Sequence, residues 1–338
     1  MPRLTLHLDG PLDLARTLWP HLRGLHDPAM RVTRTEVIRA TRTADGPATL
    51  HVRRLGDRIE VEAWGPGADR ALHAAPAFIG LEDDRAGFAP ANRLVADLDR
   101  RRPGLRIGRS GAVLEALIPA ILEQKVTGTE ARRAYRGIIA RWGEPAPGPF
   151  GLRLLPPPEV LAGLPYHAFH PIGLERRRAD LVRAVAGRAR RFEEIVDMPL
   201  PAAYARLRAM PGIGPWTAAE VAVRALGDPD AVSVGDYHIP SLVAYALAGE
   251  RKATDERMLE LLEPFRGHRA RVIASSRRAA SARRCTARGC NPARLPQSSG
   301  AKHEARAQHV NPGSEGGFGR GGRGSGAIDA GAVDVSGL

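Results

Sequence analysis

The chain has 338 residues, 43% hydrophobic and 26% charged, proportions that fit a globular protein with enough length to bury a sizeable core in two or three sub-domains. No apolar run approaches the roughly 18 residues that read as a membrane helix, and Met1-Pro-Arg-Leu-Thr-Leu-His-Leu lacks the apolar core of a signal peptide, so a cytoplasmic address is expected. The formal net charge is +13, which favours a polyanionic partner without requiring one, and the only cysteines are Cys285 and Cys290, which excludes a four-cysteine iron–sulfur loop.

Residues 1–105 read as an α+β unit. Leu4 to Leu8 alternates apolar and polar residues as a strand does, and Asp13 to Arg23 carries a helical pattern interrupted at Pro20 and stopped by Gly24. Val32 to Arg42, Ala48 to Leu55 and Arg58 to Trp64 alternate again, separated by Asp45-Gly46 and Gly56-Asp57, which predicts an antiparallel meander. Ala68 to Ala75 is a short predicted helix ending before Pro76. Nothing in this unit carries an evident catalytic group; it is read as a brace.

Residues 106–274 change to a helical period. Ser110 to Trp142 places Leu114, Leu117, Ile118, Ile121 and Leu122 on one face, with Pro119 expected to kink the helix or mark its first turns. Residues 143–158, rich in Pro and Gly, read as a loop. Helical stretches follow at Pro158–Ala162, Leu174–Phe192, Pro201–Met210, Thr217–Leu226, Ile239–Ala248 and Asp255–Phe265, together an all-helical bundle. His167 and His170 lie three apart but have no third ligand nearby, so packing or capping is the better reading and no metal is expected.

Residues 275–338 are dominated by Ser, Arg, Ala and Gly, with a Gly/Arg run from Gly316 to Gly326, a composition expected to remain disordered. This tail holds ten Lys/Arg against four Asp/Glu, leaving the body with a surplus of seven positive charges. Two readings stand: an arm that adds sequence-independent nucleic-acid affinity, or, favoured because the helical pattern stops abruptly, an out-of-frame translation of a high-GC gene.

The most informative stretch is Met210-Pro-Gly-Ile-Gly-Pro-Trp-Thr-Ala218, followed twenty residues after Trp216 by Asp236 in Val-Gly-Asp-Tyr-His. A Pro-Gly-x-Gly turn between two helical patterns brings backbone N–H groups and a helix N-terminus to one point, which suits a phosphate. The carboxylate downstream then lies where it can act on whatever that grip positions. Asp236 taken alone is better read as a helix N-cap.

This stretch resembles the hairpin of the helix-hairpin-helix superfamily of base-excision DNA glycosylases, in detail the 3-methyladenine DNA glycosylase II branch. Leu114-Glu-Ala-Leu-Ile-Pro-Ala-Ile-Leu-Glu-Gln-Lys-Val-Thr127 is similar to the same family's conserved helix and Gln-containing loop. The likeness runs from about the first residue to about Val272. It implies a small antiparallel sheet domain, a helical glycosylase bundle, a monomer without a cofactor, and double-stranded DNA containing damaged bases as partner.

The resemblance also implies roles. Asp236 is the catalytic acid, stabilising the oxocarbenium-like sugar and orienting the incoming water. Trp216 stands where bifunctional members place a Schiff-base lysine, so a monofunctional enzyme is implied, and its indole suits stacking on a flipped cationic base, although a core position between helices also fits. Glu220, one turn later, borders the base pocket or is a solvated helix charge; the branch often has an aromatic residue there. Tyr237 lines the pocket or, like His238, touches the DNA backbone or is structural. Gly212, Ile213 and Gly214 grip the phosphate through main-chain amides with Thr217 adding a hydroxyl, and Gln124 and Lys125 come from the loop that fills the hole left by the flipped nucleotide. Lys125 is otherwise an ordinary exposed loop lysine.

The expected activity is hydrolysis of the N-glycosidic bond of alkylated purines such as 3-methyladenine or 7-methylguanine. The alternatives are a glycosylase for another lesion class, or a weak or inactive DNA-binding module whose last helix is cut short.

Overall fold

A computed structural model describes residues 2–90 and 92–276, all within one compact unit. Cys285, Cys290 and the Gly/Arg run lie outside the described residues. Five strands form one antiparallel sheet: β1 (Arg3–His7), β2 (Met30–Val32), β3 (Glu36–Thr43), β4 (Gly46–Leu55) and β5 (Arg58–Trp64), in the order β1-β5-β4-β3-β2. The meander is set by two-residue turns, Ala44-Asp45 pairing Thr43 with Gly46 and Gly56-Asp57 pairing Leu55 with Arg58.

One face of the sheet buries Val37, Ala48, Leu50, Val52, Ile59, Val61 and Ala63 against α1 (Leu14–Leu18) and α2 (Ala68–Phe78). The other face is covered at Ile38 and Ala40 by Leu152 and Leu154 of the Pro/Gly-rich loop. Coverage on both sides explains why β3 is buried over a continuous stretch, Val37 to Thr41, rather than in strict alternation.

The helical part follows: α3 (Arg93–Arg100), α4 (Val113–Leu122), α5 (Gly128–Trp142), α6 (Pro158–Gly163), α7 (Tyr166–Phe169), α8 (Arg176–Ala186), α9 (Ala189–Glu193), α10 (Leu200–Arg208), α11 (Pro215–Val221), α12 (Ile239–Ala248) and α13 (Asp255–Leu262), with residues 269–276 also helical. The centre of the main core is α4, in which every residue except Glu115 is buried, and α5, α8, α9 and α11 pack around it. A further core joins α12 and α13 to α3 through Val95, Val243, Met258 and Leu262.

Ion pairs fasten these layers. The Glu115 carboxylate accepts from Arg39 (2.8 Å), Thr41 Oγ1 (3.0 Å) and the Arg42 amide (2.7 Å), tying the sheet to α4. Glu193 accepts from the amides of Val113 and Leu114, the first donors of that helix. Arg271 makes two 2.7 Å bonds to Asp83, both side chains almost fully buried.

Several boundaries differ from the sequence reading. Pro76 does not end α2, because burial of Ala75, Ala77, Phe78 and Ile79 carries the helix one turn further. Pro119 sits inside α4 rather than in its first turns. Leu174–Phe192 is two helices, broken at Gly187-Arg188, and α3, capped by Asn92, was not foreseen. Ser110–Trp142 is interrupted by Glu123 to Thr127, after which Thr127 and Glu130 form a capping box for α5. The helix from Pro215 ends in a π turn, Ala222–Leu226.

Candidate active site

Two helices and a five-residue bend build the site. Helix α10 ends at Arg208, and Met210 to Gly214 turns the chain into α11, with Pro215 at the first helical position, where its missing N–H costs nothing. The Ile213 amide donates to Met210 O (3.0 Å) while its side chain is buried in the main core, which leaves it as the anchor of the bend. Gly212 adopts φ +96°, and a Cβ there would come within 2.9 Å of Leu181 Cδ2. Gly214 has open space around it. The amides of Gly212 and Gly214 find no acceptor among the described residues.

Gln124 braces this bend from behind. Its Nε2 donates to Gly212 O (3.0 Å) and Thr217 Oγ1 (2.9 Å). Thr217 is buried, so its hydroxyl is turned to Gln124 rather than offered to an open phosphate site as the sequence reading expected. Lys125, next in the chain, is exposed and takes φ +55°, the one non-glycine among the described residues in the left-handed region.

The acid lies across from Trp216. The indole Nε1 donates to Asp236 Oδ2 at 3.0 Å. Asp236 Oδ1 accepts from the amides of His238 (2.8 Å) and Ile239 (2.9 Å), capping α12. Of the two sequence readings of Asp236, the geometry shows the capping one through Oδ1, and it leaves Oδ2 facing the indole. Trp216 is half-buried with one side against the main core, so it too is partly core and partly rim.

Two residues expected near the base are disposed otherwise. Tyr237 is 90% exposed, its ring edge-on to His238, and lines no closed pocket. Glu220 is neither a solvated charge nor an open pocket wall: it is buried, with Oε2 on Arg224 Nη1 (2.5 Å) and Oε1 accepting from Ser233 Oγ (2.6 Å). Burial acts to lower the Arg224 pKa, but Glu220 and then Glu123 outweigh it, so the guanidinium is held more firmly protonated than usual. Its Nε reaches back to Pro20 O (2.8 Å), joining the site to the N-terminal turn. In that turn His21 is held neutral, its pKa well below the ordinary value, first by burial and then by Arg39, Arg224 and Arg23.

Sequence reasoning missed Ser233 and the Glu220–Arg224 pair. The signal was available: in Ala-Ala-Glu-Val-Ala-Val-Arg-Ala the charged residues stand four apart among apolar residues that leave no solvated face. His167 and His170 are exposed, and no cluster of three or more His, Cys, Asp or Glu able to hold a metal occurs among the described residues. No helix of the described residues is long and apolar enough to cross a membrane. A groove of about 820 Å³ lined by Arg188, Arg190, Arg191 and Arg206 shares no residue with the Trp216–Asp236 pair.

A helix bend backed by a buried central helix, with a carboxylate facing the second helix and a small sheet alongside, makes up this site, and the overall fold has solved counterparts. The 3-methyladenine DNA glycosylase of Archaeoglobus fulgidus superposes with a TM-score of 0.67 at 20% identity, over 81% of this chain and 96% of that one. In sequence, the Mycobacterium tuberculosis protein named Probable bifunctional transcriptional activator/DNA repair enzyme AlkA is 34% identical over 165 residues, 46% of this chain and 33% of that protein. The Escherichia coli DNA-3-methyladenine glycosylase 2 is 28% identical over 181 residues, 52% of this chain and 62% of that protein. The chain thus spans about a third and about three-fifths of the lengths of these curated relatives. No family model matches it. The chain is therefore similar in fold to a solved 3-methyladenine DNA glycosylase and, over about half its length, similar in sequence to these two relatives.

Proposed function

We propose that this protein is a monofunctional DNA glycosylase that removes alkylated purines, of the 3-methyladenine and 7-methylguanine type, from duplex DNA, working as a monomer. The observation that carries the reading is the 3.0 Å contact between Trp216 Nε1 and Asp236 Oδ2 beside a hairpin with free amides.

The chemistry follows from these groups. Free amides at Gly212 and Gly214 hold a backbone phosphate and fix the deoxyribose of the neighbouring nucleotide without reading sequence. The lesion base swings out and stacks on the Trp216 indole, which a cationic purine favours, while Lys125 fills the vacated space with its stem. As the C1′–N bond breaks, its electron pair leaves with the base, which departs neutral because it began cationic. Asp236 stabilises the positive charge that develops on the sugar, orients the water that adds to C1′ and accepts the proton that water loses. The products are free base and an abasic site. An indole cannot form the Schiff base that strand nicking requires, so the backbone stays intact. Ser233-bound Glu220 takes no part in stacking, and exposed Tyr237 is assigned to the DNA surface.

The test compares wild type with Asp236→Asn on duplex containing 7-methylguanine, measuring free base and strand breaks before and after alkali. Alkali-dependent breaks with wild type, almost none with the variant, and DNA binding kept by both is the expected pattern. Equal base release by both proteins would remove Asp236 from the mechanism; breaks without alkali would refute the monofunctional assignment. A panel of duplexes with deaminated and oxidised bases separates the alkylpurine reading from another lesion class.

A further inference from the structure

We propose that Glu220 is a positioning residue that sets the catalytic acid in place through Ser233, an inference that rests on the role of Asp236 proposed above. Trp216 and Glu220 are one helical turn apart on α11, and the segment carrying the acid touches that helix at both. Trp216 meets Asp236 directly; Glu220 Oε1 takes the Ser233 hydroxyl at 2.6 Å, three residues upstream. The Asp236 amide closes the turn onto Ser233 O at 3.2 Å. Fixing the Ser233 side chain on α11 therefore fixes the start of the turn whose end holds the acid.

The surroundings suit such a tether. Ser233 and Glu220 are both buried, so the bond between them does not compete with water. Arg224 balances the Glu220 charge and donates onward to Pro20 O, so the chain of bonds runs from the N-terminal turn to the acid. From the other side, the Gly235 amide donates to Asp255 Oδ2 at 2.9 Å, so Ser233 is the buried attachment to α11 beside the Trp216–Asp236 contact. A charged residue at position 220, where stacking would call for a ring, thus serves the acid and not the base.

The experiment uses the whole protein and variants S233A, S233T, S233V and E220Q. Threonine and valine match in shape, so any steric effect at this buried position is shared and their ratio reads the hydroxyl. The first readout is the indole Nε1–H resonance of Trp216, identified with W216F, which reports the contact to Asp236 whether or not base is released. We expect S233A and S233V to move it toward its position in D236N, and S233T to leave it near wild type. An unmoved resonance in both S233A and S233V overturns the proposal.

The second readout is single-turnover base release. S233A and S233V should lower the rate at saturating DNA by about 10- to 100-fold, the scale of a small misplacement of a reacting group, with affinity for undamaged duplex within about twofold. E220Q, whose amide oxygen still accepts from Ser233 but whose charge no longer balances Arg224, should fall between them and wild type. Equal rates for S233T and S233V overturn the proposal even when D236N is inactive. Activity in D236N equal to wild type instead overturns the assignment of the acid and leaves the resonance test to judge the tether. Should E220Q fail to fold, the serine variants decide alone.

Discussion

Trp216 and Asp236, twenty residues apart in sequence, are joined by a hydrogen bond from indole Nε1 to carboxylate Oδ2 at 3.0 Å. The bond holds Asp236 at the edge of the indole, one side of which packs on the main core. Trp216→Phe keeps a stacking face and removes the donor. Base release at saturating DNA should fall about tenfold while lesion affinity changes little, the loss of one hydrogen bond to a charged group being about 1.5–3 kcal/mol at most. A drop in affinity alone, measured by titration of 7-methylguanine duplex, would show that the indole acts only by stacking.

The two hairpin glycines should separate folding from binding. Gly212→Ala forces a side chain into the left-handed region and against Leu181, so a loss of about 1–3 kcal/mol in unfolding free energy is expected from denaturant titration. Gly214→Ala meets nothing within the fold and should unfold as wild type does. Its methyl would stand where the phosphate approaches, and duplex affinity should weaken about tenfold, or 1.4 kcal/mol.

The buried Arg271–Asp83 pair should be among the most sensitive points of the fold. Arg271→Met strands a carboxylate with almost no exposure, which costs about 3–5 kcal/mol and lowers the melting temperature by on the order of 10 °C. Adding Asp83→Asn removes the stranded charge while keeping an acceptor for the Ile107 amide, so much of the loss should be recovered. Thermal unfolding of the three proteins decides it.

Stability should fall in mild acid because of His21. Its folded pKa lies well below the ordinary 6.5, first through burial and then through three arginines, so the folded state resists the proton that the unfolded chain accepts. The stabilisation is present above about pH 6.5 and is lost as pH falls below it. Between pH 7 and 5 the unfolding free energy of wild type should decline more steeply than that of His21→Gln, in paired denaturant titrations. Parallel curves would show that the imidazole does not titrate between the states.

Much of this was legible in the sequence. The meander was readable because alternation and two-residue turns are local signals, and Pro-Gly-Ile-Gly-Pro-Trp marked the bend because few other residues take those backbone angles. The spacing of Asp236 from Trp216 held because both are anchored to the ends of helices. What the sequence hid were partners distant along the chain. Nothing near Gln124 announces that its amide will hold Gly212, eighty-eight residues away, and nothing near Glu220 announces Ser233. Pro76 misled for the opposite reason: a local rule yielded to the burial of Phe78 and Ile79.

Lys125 carries a backbone twist that a side chain normally avoids, directly after a helix with no freedom to shift. For the inserting role proposed above, this backbone is already set before any duplex arrives, so little further ordering of the loop would be needed. Glycine at this position would relax the chain and leave nothing to insert, whereas arginine would preserve both the tension and the reach.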